Sequence, residues 1–325
     1  MLKDILPDVV ESDKEDAPSP GLTLDGSWER NGRNIVAAAV VGLLLIGATY
    51  FIVQSILVTI AALAAEVIKG QPDHTASAID LIAEQLLSIK NVILAVVLVT
   101  QITFLMIPTI ILVRRWHSTR VLDYIRWKSA SALQVVLAVV ITAVFVPVNM
   151  YIGSLVNRLF PVPEKIQALN NALFTAQTPL ELGWIIMVVA VTPAICEEVL
   201  FRGYVQRTLE RRIGWKSIIV VGLMFGLYHM NPLGLVNLSL IGFLLGYLFY
   251  RSGSLVPTIV SHFTNNLLAV LMLYLSATSS DTFGLFDEQV SLARVAVLVP
   301  TGIILLVIFH NLRNRAGDVP TASHA

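Results

Sequence analysis

The sequence predicts an all-α fold, a polytopic membrane helix bundle of about eight transmembrane helices with N- and C-termini cytoplasmic. Three observations predict it. The 325 residues are 56% hydrophobic and 14% charged, with a mean hydropathy of +0.76, whereas a soluble domain carries roughly a quarter charged residues. Apolar runs near the span length of about 20 residues recur at 35–60, 91–113, 130–153, 182–201, 217–230, 233–250, 254–276 and 291–310. Arginine and lysine then fall in alternate loops, the bias that sets orientation.

In chain order, residues 1–33 mix Asp, Glu, Ser, Pro and Gly with few apolar residues and read as a disordered cytoplasmic tail. Residues 34–180 hold three transmembrane helices and two short interfacial ones. The first of these, 76–90, places Ile79, Ile82, Leu86 and Ile89 at helical spacing, and 162–176 follows a similar pattern. Residues 181–276 form the region that carries chemistry. Its fifth and sixth runs are short and parted only by Asn231-Pro232, and proline ends a helix by removing a donor and clashing with the preceding turn. Residues 277–325 supply the last span and a tail of about a dozen polar residues.

With the N-terminus inside, the inner segments carry Arg30 and Arg33, then Arg114 to Lys128, Arg207 to Lys216, Arg251, and Arg313 with Arg315. The outer segments carry Glu66, Asp73, Asp80 and Glu84, then Asp281, Asp287 and Glu288. This fits a multi-pass integral protein of a bacterial cytoplasmic membrane. The first span is too long for a signal h-region and is expected to stay in the mature protein. A formal net charge of zero, with the basic residues used in the loops, implies no nucleic-acid partner. The single cysteine, Cys196, excludes an intramolecular disulfide. There is no inverted repeat of the transporter kind and no glycine-rich phosphate loop.

Titratable groups at membrane depth are costly and mark functional sites. Glu197 and Glu198 lie near the end of the fourth span, and His229 and His262 lie in later ones. Glu198 and Arg202 are spaced i,i+4 with the acid first, the favoured order for a helical ion pair. Glu197 is turned about 100° from Glu198, so it is left to face the interior as a general base while Glu198 and Arg202 form a structural pair. By a rise of about 1.5 Å per residue, Glu197, His229, His262 and Asn266 lie about 22, 19, 14 and 20 Å from the cytoplasmic surface, in one layer. His262 and Asn266 share a helix face at i,i+4, with Asn265 as the neighbouring alternative to Asn266. The set fits hydrolysis by a water held by Glu197 and His229, with His262 and Asn266 donating to the oxyanion; the two histidines are interchangeable at this stage. No cofactor is required by that mechanism. Zinc is the alternative, with Glu197, His229 and His262 as ligands and water in the fourth position. Gly242 and Gly246 form a small-xxx-small pair expected at a close helix contact.

The stretch Thr192-Pro193-Ala194-Ile195-Cys196-Glu197-Glu198-Val199-Leu200-Phe201-Arg202 resembles the Glu-Glu-x-x-x-Arg signature of the CAAX prenyl endoprotease and bacteriocin-processing (CPBP, or Abi) family. Phe225-Gly226-Leu227-Tyr228-His229 is similar to its Phe-x-x-x-His motif, and His262-Phe263-Thr264-Asn265-Asn266 to its His-x-x-x-Asn motif. The resemblance covers about a hundred residues. It implies an intramembrane endopeptidase with Glu197 and His229 on the water and His262 and Asn266 on the oxyanion. It implies a peptide or protein substrate, lipidated or membrane-anchored in some members, met within membrane lipid. The alternative is a transporter or a non-catalytic immunity factor using the same polar residues.

Overall fold

The computed structural model describes residues 22–69, 78–278 and 291–312. Every regular element among them is a helix. In order these are α1 (Ser27–Arg30), α2 (Ile35–Lys69), α3 (Ala78–Ser88), α4 (Lys90–Trp116), α5 (Val121–Tyr124), α6 (Ala132–Leu159), α7 (Glu164–Phe174), α8 (Pro179–Ile213), α9 (Lys216–Tyr228), α10 (Leu235–Ser252), α11 (Leu255–Thr278) and α12 (Leu292–Asn311). Seven of them, α2, α4, α6, α8, α10, α11 and α12, are long and apolar enough to cross a membrane. The protein is an integral membrane helix bundle.

The run at 217–230, expected as a full span, is the shorter helix α9. Its 13 residues extend only about 20 Å, less than the hydrocarbon thickness of about 30 Å. It packs against α10 as an apolar hairpin. Gly242 of α10 lies so close to Gly222 of α9 that a Cβ on Gly242 would sit 2.8 Å from the Gly222 carbonyl oxygen, which is the close contact expected of the small-xxx-small pair. Gly214, at φ 53°, turns the chain from α8 into α9, and Gly253, at φ 62°, from α10 into α11; both use a backbone region that side-chain-bearing residues avoid.

Helix α8 is the centre of the bundle. In its most apolar window 67% of residues are buried, against 6–50% for the other spans. Phe201, Tyr204 and Val205 are fully enclosed in the main hydrophobic cluster. Both α8 and α4 contain π turns, at Ile186–Val191 and Val199–Gln206 in α8 and at Gln101–Met106 in α4. Two of these segments run into a proline, Pro193 and Pro108. Proline cannot donate to the carbonyl four residues back, so the helix widens around the missing bond.

Residues 22–33 correct the expectation of a tail disordered throughout 1–33. Gly26 donates to the His117 carbonyl at 3.0 Å, and Asp25 accepts from the Thr119 backbone and hydroxyl at 2.7 and 2.5 Å. Glu29 receives both Nη atoms of Arg211 at 2.6 and 3.0 Å and contacts His117 Nδ1 at 2.6 Å. The segment straps the α4–α5 turn to the end of α8. Helices stand at both places where short ones were expected between the spans, as α3 and α7. The remainder of the two tails and the acidic positions Asp73, Asp281, Asp287 and Glu288 lie outside the described residues.

Candidate active site

The two adjacent glutamates face different partners. Glu198 is fully buried, as are Arg202 and Thr258. Arg202 Nη1 donates to Glu198 Oε1 at 2.7 Å, as the i,i+4 spacing predicts. The pair is not isolated. His262 Nδ1 lies 2.9 Å from the same oxygen, and the Thr258 hydroxyl donates to Oε2. Arg202 also donates through Nη2 to the Gly242 carbonyl at 3.0 Å, and its guanidinium lies over the Phe225 ring at 4.7 Å. One turn on, Gln206 donates to the Gly246 carbonyl at 2.8 Å. The glycine pair of α10 therefore presents carbonyls to α8 as well as letting α9 approach.

A buried charge is tolerated when paired and hydrogen-bonded on every side. Glu198 meets that condition with three donors from two helices. Sequence reasoning gave Glu198 one partner and missed two. Thr258 and His262 stand i,i+4 on one face of α11, a spacing that was available as a signal.

Glu197 faces the other way. Its residue is 8% exposed, its Oε2 has no partner within the protein, and that oxygen lies 3.9 Å from His229 Nε2. His229 Nδ1 lies 2.7 Å from the Phe225 carbonyl. A carbonyl only accepts, so Nδ1 carries the hydrogen, and in the neutral ring Nε2 presents a lone pair to Glu197. Phe225 meets both imidazoles edge-on, with centroids 4.7 Å from His229 and 5.8 Å from His262. The structure thus makes two acid–histidine pairs, Glu197 with His229 and Glu198 with His262, with one aromatic ring touching both histidines. The two histidines therefore have different partners.

Asn266 Nδ2 donates to the Val189 carbonyl at 2.9 Å, and its Oδ1 accepts from Asn265 at 3.0 Å. Val189 lies inside the π segment that ends just before Pro193, so Asn266 is held by a carbonyl of a widened turn. One Asn266 hydrogen is spent there, and the amide has a second. Among the described residues no three His, Cys, Asp or Glu side chains form a group able to hold a metal ion. The set Glu197, His229 and His262 does not fit zinc as folded. Cys196 is 2% exposed and belongs to the apolar core. A cavity of about 510 Å³ opens beside Met230, directly after His229, and its lining, which includes Phe160, Ile166 and Leu233, carries no charged side chain.

Residues 179–268 match the family described as Type II CAAX prenyl endopeptidase Rce1-like. The matched stretch contains Glu197, Glu198, Arg202, His229, His262 and Asn266. No curated protein matches the chain, and no solved structure does.

Proposed function

We propose, from the premise that through residues 179–268 the chain belongs to the CAAX protease family, that it is an intramembrane endopeptidase in which Glu197 and His229 activate a water. The observation that carries this reading is the 3.9 Å gap between Glu197 Oε2 and His229 Nε2. Both atoms are acceptors when the carboxylate is ionised and the ring neutral, so they do not bond to each other. A water between them gives one hydrogen to each and turns a lone pair outward, towards a peptide carbonyl.

In the attack, the water oxygen bonds to the carbonyl carbon and Glu197 takes the proton. The tetrahedral oxyanion is met by the second Asn266 N–H and by His262 Nε2, which donates in the doubly protonated ring. Collapse breaks the C–N bond, and Glu197 returns its proton to the leaving amine, so base and acid are one residue. Glu198 does not touch the reacting atoms. It holds His262 by Nδ1, as an outer carboxylate orients a working histidine.

The substrate class is a membrane-anchored peptide or protein. Support comes from the site's place among apolar spans and from the cavity beside Met230, whose lining mixes apolar side chains with Asn157, Asn170 and Asn231 and so offers a peptide both apolar contact and amide hydrogen bonds. The family's description extends this to prenylated C-terminal segments. The base-rich loops favour a bacterial cytoplasmic membrane with both ends inside. The transporter and immunity readings gain no support from the family match.

The test compares protein C-termini in membranes containing wild-type protein or Glu197→Ala. New C-termini that require Glu197 are expected. Identical sets, with no peptide cleaved by purified wild-type protein, would overturn the reading.

A further inference from the structure

Another cavity, of about 310 Å³, opens between α2 and α4. Its lining is apolar along most of its length. Ile46 and Leu112 are buried in it, while Leu45 and Ile111 are 58% and 54% exposed, which on membrane spans is exposure to lipid. Phe104, inside the π turns of α4, and Pro108, just after them, add to the wall. The Thr49 hydroxyl is spent on the Leu45 carbonyl at 2.8 Å.

One end of the groove differs. Arg115 and Trp116, the last two residues of α4, belong to the lining there, and Arg115 is its one charged side chain. Arg115 is exposed, and among the described residues no acid pairs with it. The strap adds to this end. Trp28 packs on Trp116 with ring centroids 4.6 Å apart, and the Arg33 guanidinium lies over Trp28 at 5.2 Å. The Ser27 hydroxyl donates to the Arg115 carbonyl at 3.0 Å. Tryptophan and arginine at the end of a span sit at the depth of the lipid headgroups.

Length and charge together select the occupant. From Phe104 to Arg115 the axis of α4 rises about 16 Å, close to half the hydrocarbon thickness of about 30 Å. The groove is therefore one leaflet deep, with a cation at headgroup level. A peptide laid along it would leave its backbone N–H and C=O groups unpaired against an apolar wall. A neutral lipid would leave Arg115 unmatched, and a free phosphate would leave the apolar length unfilled.

We propose that the groove holds one anionic phospholipid, from the leaflet that borders the base-rich loops. An acyl chain lies against Leu45, Ile46, Phe104 and Ile111, and the phosphate meets Arg115. Basic residues beside a membrane draw such lipids to their surface. The lipid bridges α2 and α4 and, through Trp116 and Trp28, seats the strap on the bundle. This inference is independent of the endopeptidase reading.

The test uses full-length protein in dodecyl maltoside, with phosphatidylglycerol or phosphatidylcholine of the same acyl chains added at equal mole fraction. Bound lipid is counted by native mass spectrometry. Wild-type protein is expected to retain one phosphatidylglycerol and to bind phosphatidylcholine about fivefold more weakly, the factor expected for one arginine at an anionic surface. Arg115→Gln is expected to remove that preference. Arg114→Gln, an exposed neighbour outside the lining, is expected to keep it. Ile111→Trp, which fills the groove, is expected to displace both lipids. Equal retention of the two lipids, equal losses in Arg114→Gln and Arg115→Gln, displacement by inorganic phosphate, or undiminished binding in Ile111→Trp would each overturn the proposal. The two arginine variants alter only exposed side chains, so their comparison decides the matter even where Ile111→Trp does not fold.

Discussion

Glu198 is held from three sides, by Arg202, His262 and Thr258, so removing its partners one at a time tests how the charge is kept. Arg202→Ala leaves a buried carboxylate without its counter-ion and is expected to cost about 3–5 kcal/mol of stability. Thr258→Val removes one neutral donor at a cost of about 1–3 kcal/mol. Thermal unfolding in detergent separates the two; an Arg202→Ala protein as stable as wild type, with activity alone lost, would move Arg202 into the catalytic set. Glu197→Gln and His229→Ala touch a less enclosed place. Each is expected to accumulate normally and to lose about 10²–10⁴-fold in kcat, and a Glu197→Gln enzyme with most of its turnover would remove the general base. Chelator treatment is expected to leave turnover intact, with far less than stoichiometric zinc in the purified protein. Activity that follows zinc occupancy would instead make Glu197, His229 and His262 ligands. The Glu198–Arg202 pair was legible because helical spacing is local information. The grip of Glu198 on His262 was legible only in part, since the i,i+4 spacing of Thr258 and His262 marks a shared polar face but not the acid it meets, 64 residues away in the chain.

At the scale of elements, hydropathy located every long helix but gave no sign of the π turns, because a widened turn leaves the apolar content of a window unchanged. Proline was the readable cause. Asn266 takes the Val189 carbonyl within the π segment that precedes Pro193, so a helix defect in α8 positions a side chain of α11. Pro193→Ala returns a backbone donor beside that segment, which lets the ladder return towards α spacing and shifts the carbonyl that Asn266 uses. It is expected to lower kcat while leaving thermal stability equal or higher, and an unchanged kcat would show that Asn266 does not depend on Val189. Hydropathy also made α9 a full span, since an apolar run says nothing about whether its helix must cross a bilayer. Its pairing with α10 depends on Gly242, where Val would press two added methyl groups and a Cβ into the Gly222 backbone. Gly242→Val is expected to destabilise by about 1–3 kcal/mol or more and to displace His229 and Arg202 together. Wild-type stability and turnover in that variant would show that the hairpin can open without disturbing the site.

At the scale of the whole molecule, the strap at residues 22–33 links the α4–α5 turn to the far end of the helix that bears both glutamates. Composition could not show this, because a segment this polar is held by a few directed bonds together with three apolar anchors, Leu22 and Leu24 on the main cluster and Trp28 against Trp116. Burial alone would raise the pKa of Glu29, but hydrogen bonds from Arg211 and His117 outweigh it and hold the carboxyl down to about 2. A carboxylate depressed on folding contributes stability above its unfolded pKa of 4.5, and that contribution is lost as the pH falls from there to the folded value. Glu29→Gln should therefore unfold at a lower temperature than wild type at neutral pH, with the difference constant above about pH 5 and shrinking as the pH falls towards 2. Thermal unfolding of both proteins across pH 7 to 2.5, at fixed detergent and salt, measures it directly. A difference independent of pH would mean that the strap holds through the Asp25 and Gly26 contacts, and that the Glu29–Arg211 pair adds nothing to the anchoring of α8.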